Sequence, residues 1–361
     1  MKRLAGILWI LAAMAAMAAM AAAALAAADE AVEQKQQQQQ PTPRTGVGDV
    51  KRPEAAPPAE EEGGEKGKGP FDALKFRFIG PPGNRVAAVV GVPGDPNVYY
   101  AGAASGGVWK SIDGGTEWKP VFDKMRAQSI GAIAIAPSDH SIVWAGTGET
   151  FIRSNVSIGD GVYRSTDAGK SWQHMGLEKT GRIGRVIVDP RDPNVVYVAA
   201  LGTCYGPQQE RGVFRTRDGG KSWERVLFVD ENTGASDLTM DPADSRTLFA
   251  GTWQIDIKTW GRKSGGPGSG VWVTHDGGTR WKRLTHDDGL PESPLGKIAV
   301  AVAPSDSQRV YALIETGDKG SLWRSDNGGA KWKLVSHSRL LNERPHYYTR
   351  MLVMPDNANE V

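Results

Sequence analysis

Acidic side chains recur in this sequence at a spacing that invites a chemical reading. Asp113, Asp167, Asp218 and Asp276 are followed by Asn327 in the same local setting, at intervals of 54, 51, 58 and 51 residues. Repeated carboxylates are the raw material of metal sites and of general acid–base pairs. Their surroundings point elsewhere. Each stands in the pattern Ser/Thr-x-Asp-x-Gly-x-x-Trp, running from Ser111 to Trp118, Ser165 to Trp172, Thr216 to Trp223, Thr274 to Trp281 and Ser325 to Trp332. β-rich runs flank each copy, so the motif reads as a hairpin turn. The Asp and Ser/Thr side chains tie backbone N–H groups. Gly supplies the positive φ, and Trp locks the turn onto its sheet. Asn327 keeps the hydrogen bonds and discards the charge. Five such sites on successive repeats cannot converge on one substrate. Asp113, Asp167, Asp218, Asp276 and Asn327, with Trp118, Trp172, Trp223, Trp281 and Trp332, are therefore assigned to structure. No catalytic residue, metal ligand or cofactor is assigned.

The elements that carry these turns follow from a second signature. Hydrophobic strands run into Pro93, Pro137, Pro190, Pro242, Pro304 and Pro355, and a polar turn and another strand follow all but the last. One repeat thus reads strand, Pro turn, strand, loop, strand, Asp turn, strand. Four antiparallel strands in about fifty residues fit a β-propeller blade. The predicted fold is all-β, with five complete blades and the first strand of a sixth at Tyr347–Pro355. Phe76–Ile79 aligns with the fourth strands and is expected to close the ring. The second strand of the sixth blade is missing before Val361, which suggests a fragment of a longer protein.

Two places remain where a ligand could be held. Five residues before each Pro lie Ala88, Ala132, Arg185, Asp237, Ala299 and Arg350. Apolar is the rule there, and Arg185, Asp237 and Arg350 break it. Arg185 and Asp237 fall in adjacent blades and are expected to pair across the seam. The other place is the face opposite the Pro and Asp turns, where the loops are long in blades two to four: Gly148–Arg153, Thr203–Arg211 and Gln254–Lys263. Long loops on a rigid scaffold are the usual address of function. Trp260 is a candidate for stacking on a sugar or gripping a peptide. Glu149, Arg182, Arg185, Asp237 and Arg350 would orient the ligand, and Arg85 would extend the basic patch.

With 43 basic and 41 acidic residues the net charge is +2, which gives no case for nucleic acid. Cys204 is the single cysteine, so no internal disulfide forms. Residues 1–28 read as a secretory signal, with Lys2 and Arg3 before an apolar run and Ala26–Ala28 as cleavage site. If uncleaved, the segment would anchor the chain in a membrane. Residues 29–70, rich in Gln, Pro and Glu, form a disordered tether. Residues 71–361 are the propeller.

The turns resemble the Asp-boxes, or BNR repeats, of sialidases, sortilins and family-74 xyloglucanases, all of them β-propellers. Over residues 71–361 the sequence resembles secreted bacterial proteins with a sortilin-like N-terminal propeller, often labelled glycosyl hydrolases. The phrases carrying that likeness include Trp144–Glu149, Gly159–Tyr163, Glu210–Phe214, Gly265–Gly270 and Tyr347–Arg350. In the xyloglucanases the resemblance places one catalytic Asp in a first-blade segment that matches Ala103–Gly107 here, with Ala104 at the Asp position. Phe76–Pro81 imitates a sialidase motif without its partners. The expected function is an exported scaffold, periplasmic or extracellular, that binds a peptide, protein or glycan on its long-loop face. The alternative is a glycoside hydrolase acting on an extracellular polysaccharide, with catalytic acids partly outside this chain.

Overall fold

The structure, a computed structural model, describes residues 85–153 and 156–361. The expected signal segment, tether and Phe76–Ile79 closing strand lie outside the described residues. Among the described residues twenty-one strands form five sheets, each with a four-stranded antiparallel order. Sheet one holds β1 (Val86–Val92), β2 (Asp95–Ala103), β3 (Val108–Ser111) and β4 (Lys119–Pro120). Sheet two holds β5 (Ile130–Ala136), β6 (Asp139–Thr147), β7 (Val162–Ser165) and β8 (Gln173–His174). Sheet three holds β9 (Ile183–Val188), β10 (Val196–Ala200), β11 (Gly212–Thr216) and β12 (Glu224–Leu227). Sheet four holds β13 (Thr233–Met240), β14 (Leu248–Lys258), β16 (Gly270–Thr274) and β17 (Lys282–Leu284), with β15 (Gly261–Ser264) beside the far end of β14. Sheet five holds β18 (Ile298–Ala303), β19 (Asp306–Ile314), β20 (Leu322–Ser325) and β21 (Lys333–Ser336). These are the blades of a β-propeller.

Each seam between successive blades is a separate apolar cluster. Tyr100, Val108 and Phe122 of blade one meet Ile130, Val143 and Tyr163 of blade two. Trp144 and Val162 then meet Ile183, Val186 and Val198. Tyr197 and Leu227 meet Leu238 and Leu248, and Phe249 and Leu284 meet Ile298 and Val310. Successive strand residues point to opposite faces, so a blade buried on both faces needs continuous apolar runs. Ile130–Ala136 and Ile298–Ala303 are such runs.

Glycine sets how closely blades approach. A Cβ on Gly102 would lie 2.5 Å from Ile130, and one on Gly146 2.4 Å from Ile183. Across the outer seams, the Tyr100 hydroxyl donates to Ala168 O at 2.9 Å and the Tyr197 hydroxyl to Gly277 O at 2.9 Å.

The recurring turns are closed by their own side chains. In blade three the Thr216 hydroxyl donates to Asp218 at 2.7 Å and accepts the Gly220 N–H at 2.9 Å, while Asp218 accepts the Ser222 N–H at 2.9 Å. Asn327 repeats this with Ser325 at 2.9 Å and the Lys331 N–H at 2.8 Å. Thr216 is buried, so Thr216→Val strands the Gly220 N–H and should cost about 1–3 kcal/mol in urea unfolding.

Hydrogen bonds from the Ser171 hydroxyl and N–H, then the Ser165 hydroxyl, hold Asp167 at about 2. The Arg280 N–H and guanidinium hold Asp276 at about 2. A depressed carboxylate stabilises the fold above its unfolded value, here 3.8, and that contribution is lost as pH falls toward 2. The double variant Asp167→Asn, Asp276→Asn should therefore lose less Tm across that window than the parent.

At the C-terminal end the structure departs from expectation. Pro345–Tyr348 is one helical turn, α1, rather than the start of a strand. Pro345 suits a first helical position, and the Thr349 hydroxyl caps the turn on Pro345 O at 2.7 Å. The next residues keep the alternation of a strand without a ladder. Met351 and Val353 are buried against Ala301, Leu313 and Leu322 of blade five, while Leu352 and Met354 are exposed. Met354 N–H donates to Glu360 O at 2.9 Å, the same six-residue closure that Asp189 makes with Val195 and Asp241 with Thr247. No helix among the described residues is long and apolar enough to cross a membrane.

Candidate functional site

The inner strands β1, β5, β9, β13 and β18 lie side by side, and the loops that precede them meet the loops joining second to third strands. Four segments converge there: 148–153, 203–211, 253–257 and 344–350. Ile152 N–H donates to His346 O at 3.1 Å, and Ile257 N–H to Cys204 O at 2.8 Å. Ile152, Leu201, Cys204, Trp253 and Ile255 form their apolar floor.

Charged groups sit on this floor. Arg185 Nε lies 2.6 Å from Asp237 Oδ1, which pairs blades three and four as the spacing predicted. The other oxygen of Asp237 accepts the Val300 N–H of blade five at 3.1 Å. Arg350 donates to Gly184 O at 3.1 Å and lies over the Phe151 ring at 5.0 Å. Burial, then the neighbouring Arg185 charge, pulls its pKa down to about 10. Glu149 is fully enclosed, 2.7 Å from Arg85 and 3.7 Å from Arg153. Burial pushes its carboxyl up, and Arg85 first among its neighbours opposes that. Arg182 is 1% exposed and lies over the Tyr205 ring at 5.6 Å.

Glu149, Arg182, Asp237 and Arg350 thus hold loops and blades to one another beneath the surface. Trp260 is not with them. It is 87% exposed, and the expected loop around it is a two-stranded ribbon, with Ile255–Lys258 of β14 paired to β15. Trp260 stands at the turn of that ribbon because β14 runs past its sheet partners. Other exposed side chains on the same face are Ile158, Tyr205 and Tyr348. Cys204 is buried, and burial raises its thiol pKa.

A cleft of about 470 Å³ opens on this face beside blade five. Glu315, Thr316, Ser321, Arg339, Asn342 and Glu343 line it. Glu315 Oε2 accepts the Ser264 hydroxyl at 2.5 Å and the Lys297 N–H at 2.8 Å. Glu343 is exposed. Two carboxyl groups, a guanidinium and an amide in one polar cleft can recognise a hydroxyl-rich ligand. The sequence pattern passed over Glu315, Arg339, Asn342 and Lys297. Lys297 carried a signal, a single charge at the head of the wholly apolar Ile298–Ala303. Among the described residues no group of three or more His, Cys, Asp or Glu side chains is placed to hold a metal. Ala104, at the place where the resemblance puts a catalytic Asp, is buried.

Comparison with known proteins agrees with this architecture. A family model described as Sortilin, neurotensin receptor 3 (Sortilin-Vps10) matches residues 106–226 and 160–285. A xyloglucanase from Paenibacillus sp is 27% identical over 264 residues, covering 71% of this chain and 21% of that protein. A xyloglucanase from Hypocrea jecorina is 24% identical over 292 residues, covering 72% and 33%. The chain thus spans between a fifth and a third of the length of these relatives. The crystal structure of an ancestral GH74 enzyme superposes with a TM-score of 0.52 at 21% identity, covering 67% of this chain and 30% of that one, a likeness of fold.

Proposed function

We propose that this chain is an Asp-box propeller of an exported, xyloglucanase-like glycoside hydrolase, and that its long-loop face binds a branched β-glucan of the xyloglucan class. One observation carries the reading: the xyloglucanases it matches align over 71% and 72% of the chain. The chemistry of the face supports it. Trp260, Tyr205 and Tyr348 offer exposed rings for pyranose stacking, and the cleft of Glu315, Arg339, Asn342 and Glu343 offers hydroxyl partners. Glycoside hydrolysis needs two carboxyl groups flanking the scissile bond. Glu315 and Glu343 share one cleft and are the pair to examine in this chain. The enclosed Glu149, Arg182 and Asp237 and the half-buried Arg350 act as positioning groups under the face.

The test is calorimetric titration with xyloglucan oligosaccharides beside a reducing-end assay on the polysaccharide. Saturable binding is expected, weakened about three- to tenfold in Trp260→Ala, the loss of one stacking ring. Turnover, where seen, should vanish in Glu343→Gln. Absence of both binding and turnover would reject the reading.

A further inference from the structure

Beneath that face three basic side chains are buried without an ion-pair partner among the described residues, and burial pulls the Lys297 pKa down to about 7. Arg182, Arg211 and Lys297 are 1%, 0% and 3% exposed. Among the described residues none of them has a carboxylate within ion-pair distance. Among the nearby acids Glu149 is paired with Arg85 and Arg153 and Asp237 with Arg185, Glu315 accepts the Ser264 hydroxyl and the Lys297 N–H, and Asp230 and Asp256 act on Arg211 from beyond ion-pair distance. The three cations rest on neutral partners instead. Arg211 donates to Asn232 O at 3.0 Å and Gly206 O at 2.6 Å. Lys297 donates to His346 O at 3.4 Å and lies over the Trp253 and Phe151 rings at 5.3 and 5.6 Å. Arg182 reaches only Val156 O, at 3.5 Å. Among the described residues its Nε and Nη1 are buried with no acceptor, and so is Nε of Arg211.

The three cations share one location. Arg182 stacks on Tyr205 and Arg211 holds Gly206 O, so both flank the 203–206 loop. Cys204 of that loop packs with Trp253, over which Lys297 lies. All three act on the Cys204 thiol, which burial keeps neutral and which therefore supplies no counter-charge. Buried unpaired charge is among the most costly features a fold can carry, and buried N–H groups without acceptors add to the cost.

We propose that a monovalent inorganic anion of halide size binds among Arg182, Arg211 and Lys297 beside Cys204 and completes the packing of the three long loops. Its ligands would be the free N–H groups of Arg182 and Arg211 and the Lys297 ammonium.

The test follows thermal unfolding of the full chain in sodium chloride against sodium gluconate at equal ionic strength, with chloride NMR line width in parallel. Chloride is expected to raise Tm saturably, by about 3 °C or more at roughly ten times its Kd. It should also show excess line broadening that bromide competes away. Arg182→Met should abolish both responses. Where that variant fails to fold, the wild-type broadening, its bromide competition and their loss in Lys297→Met decide the matter. Equal Tm in the two salts without excess broadening would overturn the proposal, as would a full chloride response in the variants that fold.

Discussion

Asp237→Ala should lower the stability of the propeller by about 3–5 kcal/mol, read as a shift of the urea midpoint at unchanged slope. The residue is 2% exposed and serves three blades at once. Its own strand is in blade four, Arg185 of blade three lies 2.6 Å away, and Val300 of blade five donates its N–H at 3.1 Å. Alanine leaves a part-buried guanidinium without its counter-charge and a buried N–H without its acceptor. Asp237→Asn restores an oxygen for Val300 but not the charge, so it should recover part of the loss. An equal loss in both variants would mean that the ion pair contributes nothing beyond the backbone link.

Gly148→Ala should be comparably damaging. Gly148 has φ +88°, a region that costs an L-residue about 1–2 kcal/mol. A Cβ there would lie 2.1 Å from Gly181 O and 2.8 Å from Arg182 Cα, both backbone atoms of the segment entering blade three. Backbone cannot swing aside as a side chain can, so overpacking adds about 1–3 kcal/mol. The total, about 2–5 kcal/mol, is measurable by the same unfolding experiment. It should be accompanied by weaker hydrogen-exchange protection at Gly148 and Gly159, whose N–H groups bond to Ser129 O and Gly181 O across the affected loops. A fully stable Gly148→Ala protein would show that the second and third blades can separate at little cost.

What the sequence revealed and what it hid divide along a physical line. The turns were legible because each is closed by residues within four positions of one another, as Thr216, Asp218 and Gly220 show. The blade count was legible because the turn recurs. The pairing of Arg185 with Asp237 was legible because both hold the same place in adjacent repeats. Interactions without such periodicity were not. Glu149 with Arg85 and Lys297 under His346 each join segments that no repeat relates. The helical turn at Pro345–Tyr348 was misread because Tyr347 and Tyr348 look strand-like by type, whereas Pro345 and the Thr349 hydroxyl favour a helical turn. Trp260 was placed on a loop because β14 gives no sign in sequence that it will outrun β13 and β16. The glycines facing Ile130 and Ile183 had a readable cause only once the neighbouring strand was in place.

The ribbon of blade four has a bearing on how such a molecule can be altered. β15 pairs only with the overhanging end of β14 and takes no place in the radial order of the sheet. Extra chain was therefore accommodated there without displacing a strand or opening a seam. Lengthening a surface connection costs only about 0.6 kcal/mol for each doubling. The stretch between Lys258 and Gly261 is thus a natural splice point, where a foreign hairpin or an epitope could be grafted and the five sheets left as they are.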